Sequence, residues 1–263
     1  MPILDFHTHA FPDGLAPKAI ASLEAGIDWR AETDGTVADL LRHMDAQGVD
    51  QAVVANIATK PAQATPILNW CLQIASDRII PFASVHPFSP TVSEELEAII
   101  QAGIRGIKIH PMYQQFEADD PAVFPLYEAV RAAGLVVLAH AGYDIAFGPL
   151  STAAPSRFAR VLDAFPGLKL VLAHLGGWNA FEEFAQTLLG RDVYIDTALC
   201  MDYCPPEVLH RILKNHSQDR ILFGTDSPWG KIADQIEYVR NFLISDTARE
   251  KIFSGNARAL LSL

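Results

Sequence analysis

The sequence predicts an α/β fold, a single (β/α)8 TIM barrel spanning residues 1–263, and three observations predict it. Eight short apolar runs recur along the chain, amphipathic stretches of helical length separate them, and the 263 residues lie near the ~250 typical of one such barrel. Strict alternation of strand and helix calls for parallel strands with the helices outside.

The apolar runs occupy residues 3–9, 51–57, 79–86, 104–110, 135–140, 168–174, 193–197 and 221–226. They are rich in β-branched residues and too short for typical helices. Near-continuous apolarity is what a strand buried on both faces requires. Between them, Thr36 caps a segment in which Val37, Leu40, Leu41 and Met44 recur at helical spacing. Thr65-Pro66 places a proline at a first helical position, and Ser93-Glu-Glu-Leu and Pro206-Glu-Val-Leu open stretches of the same character. Gly103, Gly134 and Gly167 stand just before strands, as helix-ending residues do. The longest connection, 10–35, is expected to fold over the barrel mouth, and the tail 246–263 to be helical and pack outside. An open doubly wound sheet shares the alternation, but no Gly-x-Gly-x-x-Gly follows the first run.

Composition narrows the partners. A formal charge of −11 argues against a phosphate-backbone partner and against an anionic membrane surface. The N-terminus Met-Pro-Ile-Leu-Asp has no basic segment leading into an apolar one, and no run approaches the ~18 apolar residues that cross a bilayer. Cys71, Cys200 and Cys204 are odd in number and lack framework spacing, which suits free thiols in a reducing compartment. The expectation is a cytoplasmic protein acting on a small molecule, without nucleic acid or membrane partners. A homodimer is the commonest assembly for such a chain.

The histidines carry the functional signal. Six of nine, His7, His9, His86, His110, His140 and His174, lie in the strand runs, nearly all at the C-terminal end, and Asp226 ends the eighth run. His43, His210 and His216 fall on helix-like segments and read as surface histidines. In a barrel the C-terminal strand ends converge on the face where active sites are built. The i, i+2 spacing of His7 and His9 is expected to aim both rings inward. Each of these residues alone has an ordinary structural reading. Several imidazoles and a carboxylate at one pole would be costly to bury without a cation, so a metal site is expected where His7, His9, His140, His174 and Asp226 converge.

The segments Asp5-Phe-His-Thr-His9, Gly106-Ile-Lys-Ile-His-Pro111, Leu138-Ala-His-Ala-Gly142, Leu172-Ala-His-Leu-Gly-Gly177, Tyr194-Ile-Asp-Thr197 and Leu222-Phe-Gly-Thr-Asp-Ser-Pro-Trp229 together resemble the amidohydrolase superfamily. The closest likeness is to its amidohydrolase-related branch of metal-dependent hydrolases and decarboxylases. The resemblance spans essentially the whole chain. It implies one divalent metal, zinc, held by His7, His9, His140 and Asp226. His174 would bind a second metal or hold the reactive water and polarise the substrate. Lys108 marks where two-metal relatives carry a carboxylated lysine, so a second metal would follow if it were carboxylated. His110 shares the face of Lys108 and is a candidate substrate contact.

The chemistry expected first is hydrolysis of a small ester, lactone or amide. Asp226 would serve as general base and then acid, and His174 as hydrogen-bond donor to the developing oxyanion. The alternative is metal-dependent, non-oxidative decarboxylation of an aromatic or unsaturated acid. Lys108, Tyr113 and Arg157 would then be anion or oxygen contacts, each with a plain salt-bridge or packing reading beside it. Trp178 and Trp229 either line the pocket or pack under the loops. Cys200 and Cys204, with Asp202 between them, read as unlinked thiols rather than ligands. A metal-binding barrel without chemistry is the third reading, and it would leave His174 and Asp226 without a purpose.

Overall fold

The computed structural model describes residues 1–200 and 203–263. All eight expected strands form, each shorter than its apolar run: β1 Leu4–Thr8, β2 Gln51–Ala55, β3 Ile79–Phe82, β4 Gly106–Ile109, β5 Val136–Ala139, β6 Lys169–Leu172, β7 Tyr194–Asp196 and β8 Ile221–Leu222. Every pairing is parallel, in the order β1-β2-β3 and β4-β5-β6-β7-β8. Two seams join these sheets. Ala83 pairs with Ile107, with Lys108 N–H donating to Ala83 O at 2.9 Å, and Thr8 pairs with Ser227, with Asp226 N–H donating to His7 O at 2.7 Å. The result is a closed (β/α)8 barrel.

Strand alternation sorts the core into two shells. Leu4, Phe6, Val53, Phe82, Leu138 and Leu222 fill the barrel interior. Ile107, Ile109, Val137, Leu172 and Ile195 face outward into the larger cluster shared with the helices. The tail departs from expectation. It is helical over Asp246–Glu250 and Asn256–Leu261, but Ala257, Leu260 and Leu261 pack with the interior set, so the tail plugs the floor of the barrel. Asn256 secures it by donating from Nδ2 to the Gln218 and Ile221 carbonyls, both at 2.7 Å.

The local readings mostly hold. Thr36 caps helix Val37–Gln47 by accepting from the Asp39 N–H, and Pro206 opens helix Pro206–Asn215. Pro66 instead falls third in helix Ala64–Ile74, behind a short turn of helix begun by Pro61. His216 is not a surface residue. It is buried at the end of helix Pro206–Asn215, where Nε2 donates to Val193 O and Nδ1 accepts from Gly190 N–H. No helix among the described residues is long and apolar enough to cross a membrane.

Candidate metal centre

The residues that end the apolar runs sit just beyond the strands, on the turns that leave the barrel's C-terminal face. His174 and Asp226 both adopt the left-handed backbone region, with φ of 61° and 59°. That conformation costs a non-glycine residue energy and clusters at functional sites. β1 adds a second device. Phe6 belongs to the interior, so simple alternation would turn His7 outward. A register irregularity between Asp5 and Thr8 re-phases the strand. His7 thereby points inward despite its position, against Lys108, Asp196 and His174.

Hydrogen bonds then fix which ring nitrogen of each histidine is bare. His7 donates from Nδ1 to Asp196 Oδ2 at 2.9 Å, His9 from Nδ1 to Ala55 O at 2.6 Å, and His174 from Nδ1 to Ala198 O at 2.9 Å. The two carbonyls carry no proton, so neutral His9 and His174 have their lone pair on Nε2, and His7 shares that tautomer when Asp196 is ionised. His140 is the mirror case: Nε2 donates to Tyr143 O at 2.8 Å and Nδ1 is left bare. One ring nitrogen anchored to a fixed acceptor with the other free is the arrangement of metal-ligating histidines. With Nδ1 engaged in this way, His174 would donate to an oxyanion from Nε2 in the protonated form.

The bare nitrogens meet a carboxylate. Asp226 Oδ1 lies 3.3 Å from His7 Nε2 and 3.1 Å from His9 Nε2. Unprotonated, these acceptors at that range need a shared positive charge; Lys108 Nζ offers one to His7 Nε2, and a proton on His9 Nε2 would offer another. Two donors each ~2.0–2.2 Å from one ion lie ~3.0–3.4 Å apart, so the trio fits a divalent cation. Burial alone would raise the Asp226 carboxyl. His7, His9 and His174 outweigh it and hold the group below the usual carboxylate range. His7 is pushed well below the usual histidine value by burial and by Lys108. Lys108 Nζ donates to His7 Nε2 at 2.9 Å, and burial lowers its ammonium to about 8 against the pull of Asp226, Asp196 and Asp144.

His140 reaches this trio through His174: ring centroids are 5.0 Å apart for His140–His174 and 5.3 Å for His174–His7. It also stacks on His110 at 4.1 Å and forms with His110 and Asp144 a second group able to hold a metal. His110 Nε2 lies 3.2 Å from Asp144 Oδ2, and burial lowers its imidazole to about 4. Tyr113 packs edge-on against His110, and Trp178 and Trp229 line the same cavity. Arg157 does not. It pairs with Asp119 at 2.5 Å and Glu117 at 2.7 Å on the outer face, the plain salt-bridge role. His86 also lies outside the cavity lining, where its Nδ1 accepts from Phe88 N–H. Cys200 and Cys204 are buried free thiols donating to backbone carbonyls, while Asp202 lies outside the described residues.

Two site residues escaped the sequence reading. Asp196 received no role, although its carboxylate in the apolar run Tyr-Ile-Asp-Thr was a signal of a buried partner. Its Oδ1 accepts from the backbone N–H of His174 and Ala198, so one side chain orients His7 and fixes the His174 turn. Asp144 lies on the loop after β5, where no local pattern marks it.

Residues 4–263 match the family model described as Amidohydrolase. The chain belongs to the amidohydrolase family. Among solved structures it is similar to an uncharacterized TIM-barrel protein from Bordetella bronchiseptica, with a TM-score of 0.79 and 21% identity over 100% of this chain and 99% of that one. It is also similar to 5-carboxyvanillate decarboxylase from Sphingomonas paucimobilis, with a TM-score of 0.76 and 16% identity over 100% and 99%. The 5-carboxyvanillate decarboxylase of Novosphingobium aromaticivorans, solved with manganese and a nitrobenzoic acid, gives 0.74 and 16% over 100% and 96%. No curated protein matches the chain. At these identities the likeness is one of fold, and it places this amidohydrolase chain among TIM barrels.

Proposed function

We propose that the chain is a metal-dependent carboxy-lyase that removes carbon dioxide from an aromatic acid bearing a neighbouring hydroxyl. The observation that carries the reading is the convergence of lone pairs, from His7, His9 and Asp226, at the base of an aromatic-walled cavity. His7, His9 and Asp226 would hold one divalent cation with His140. When bound, it supplies Lewis-acid polarisation of the substrate oxygens. The imidazole-rich donor set suits zinc, while manganese is the ion in the Novosphingobium relative.

The chain's own residues favour decarboxylation over the hydrolysis expected first. Tyr113, Trp178 and Trp229 line a cavity suited to a flat ring, and Lys108 places a cationic group for the carboxylate. A carboxylate held against apolar walls is poorly solvated, and loss of carbon dioxide relieves that cost. Asp226 takes the hydroxyl proton and delivers it to the ring carbon. The bond to the carboxylate carbon then breaks, and its electron pair restores the aromatic ring. The structural relatives that are aromatic-acid decarboxylases support this reading. Hydrolysis is the competing reading, and Asp226 favours it too, since an ionised carboxylate beside metal donors can take a proton from water.

Metal-reconstituted protein offered ortho-hydroxybenzoates should release carbon dioxide, read by loss of the carboxyl carbon signal in NMR. Turnover of esters or lactones with no carbon dioxide from any hydroxybenzoate would overturn the proposal.

A further inference from the structure

The cavity above the metal centre encloses about 780 Å³, towards the upper part of the ~300–1,000 Å³ range of pockets that enclose drug-sized ligands. A single-ring acid would fill only its base. The remaining volume is walled from two sides. The connection after β1, including helix Ala16–Glu24, contributes Phe11, Leu15 and Ile27, and helix Ala64–Ile74 contributes Ile67 and Trp70. Leu15 is 57% exposed, a large apolar side chain left uncovered at the rim. Apolar side chains in a concave wall, rather than scattered singly, mark a surface awaiting a ligand.

Beside the apolar side chains the lining carries two exposed cations. Lys18 and Lys60 both line the cavity, and among the described residues neither has an ion pair. Acidic residues outnumber basic ones 31 to 20 in this chain, so two uncompensated ammonium groups at the mouth of an apolar chamber point to an anionic ligand group.

We propose that the substrate is an elongated dianionic acid. Its reacting carboxylate would sit at the metal end, its apolar body against Phe11, Leu15, Ile67 and Trp70, and a second anionic group at Lys18 and Lys60. The inference rests on the carboxy-lyase reading for the identity of the metal end, and on the outer chamber for the rest of the molecule.

The test is calorimetric binding to the metal-loaded full chain. The ligands are salicylate, a salicylate extended by a second ring, that biaryl with a carboxylate on its far ring, and the methyl ester of the far carboxylate. The biaryl should bind about tenfold more tightly than salicylate through burial of the added ring. The diacid should bind about threefold more tightly than its ester, and added salt should remove that margin. The K18A/K60A double variant, altered only at exposed positions, should bind diacid and ester equally. Equal binding of salicylate and biaryl, or of diacid and ester, by the unaltered chain would overturn the inference. If salicylate is bound and decarboxylated without preference for the longer acids, the chamber inference fails alone. If the diacid binds but no acid loses carbon dioxide, the carboxy-lyase reading fails alone. Absence of all binding overturns both.

Discussion

His7 Nδ1 lies 2.9 Å from Asp196 Oδ2, with both side chains almost wholly buried. This contact fixes the His7 tautomer and aims Nε2 at Asp226. Asp196→Asn can offer an amide N–H where an acceptor is required, which turns the imidazole to the wrong tautomer. Metal affinity should fall about 10–100-fold, read by competition with a chelator. Unchanged affinity would show that Asp196 does not orient the ligand.

Lys108 competes for the same nitrogen. Its ammonium donates to His7 Nε2, and burial lowers its pKa to about 8. As pH rises through that value the competing charge is lost, so metal affinity should climb between pH 7 and 9. Lys108→Met should bind metal with a flatter profile over that window. Identical pH profiles for the two proteins would refute the competition.

Burial pushes the Asp5 carboxyl to about 7, against hydrogen bonds from Thr225 and the His7 N–H. The folded state thus keeps a proton that the unfolded chain loses near pH 4. Its contribution to stability is full below pH 4 and declines as pH rises towards 7, by up to about 1.4 kcal/mol per unit. Chemical denaturation of metal-free protein should show this decline, and Asp5→Asn should flatten it.

Arg157 bridges Asp119 and Glu117 away from the cavity. Arg157→Ala should leave turnover and metal content unchanged while lowering stability by about 1 kcal/mol, since partly exposed ion pairs contribute little more than that. A selective loss of turnover would return Arg157 to the site.

Gly142 has a φ of +87°, and a Cβ there would fall 2.3 Å from the backbone N and O of Trp178. The loops after β5 and β6 therefore meet backbone to backbone. Gly142→Ala should cost at least about 3 kcal/mol or prevent folding, read by denaturant melting of the expressed protein. A change below about 1 kcal/mol would mean the loops part easily.

The barrel was legible because burial on both faces writes each strand as an apolar run. The site was legible because a barrel gathers strand ends, which makes His7, His9, His140, His174 and Asp226 neighbours across more than two hundred residues. What escaped depended on tertiary context. The irregularity in β1 that turns His7 inward has no local signature, and plain alternation predicts the opposite direction from Phe6. Asp144 and Asp196 act through partners distant in sequence, so neither belongs to a spacing pattern. His216 sits on a polar helix end, and only the fold reveals the Gly190 and Val193 backbone that satisfies it.

The floor of the barrel is laid by Ala257, Leu260 and Leu261, against Leu4 and Phe6 from the opposite end of the chain. On a ribosome these groups emerge after all eight strands, while the first strand has waited through the synthesis of the other seven. The interior therefore stays open from below until translation of this segment is complete, exposing apolar strand surface to any chaperone or to another nascent chain. A message truncated before Asn256 would yield a chain with its metal ligands all present and its barrel unsealed.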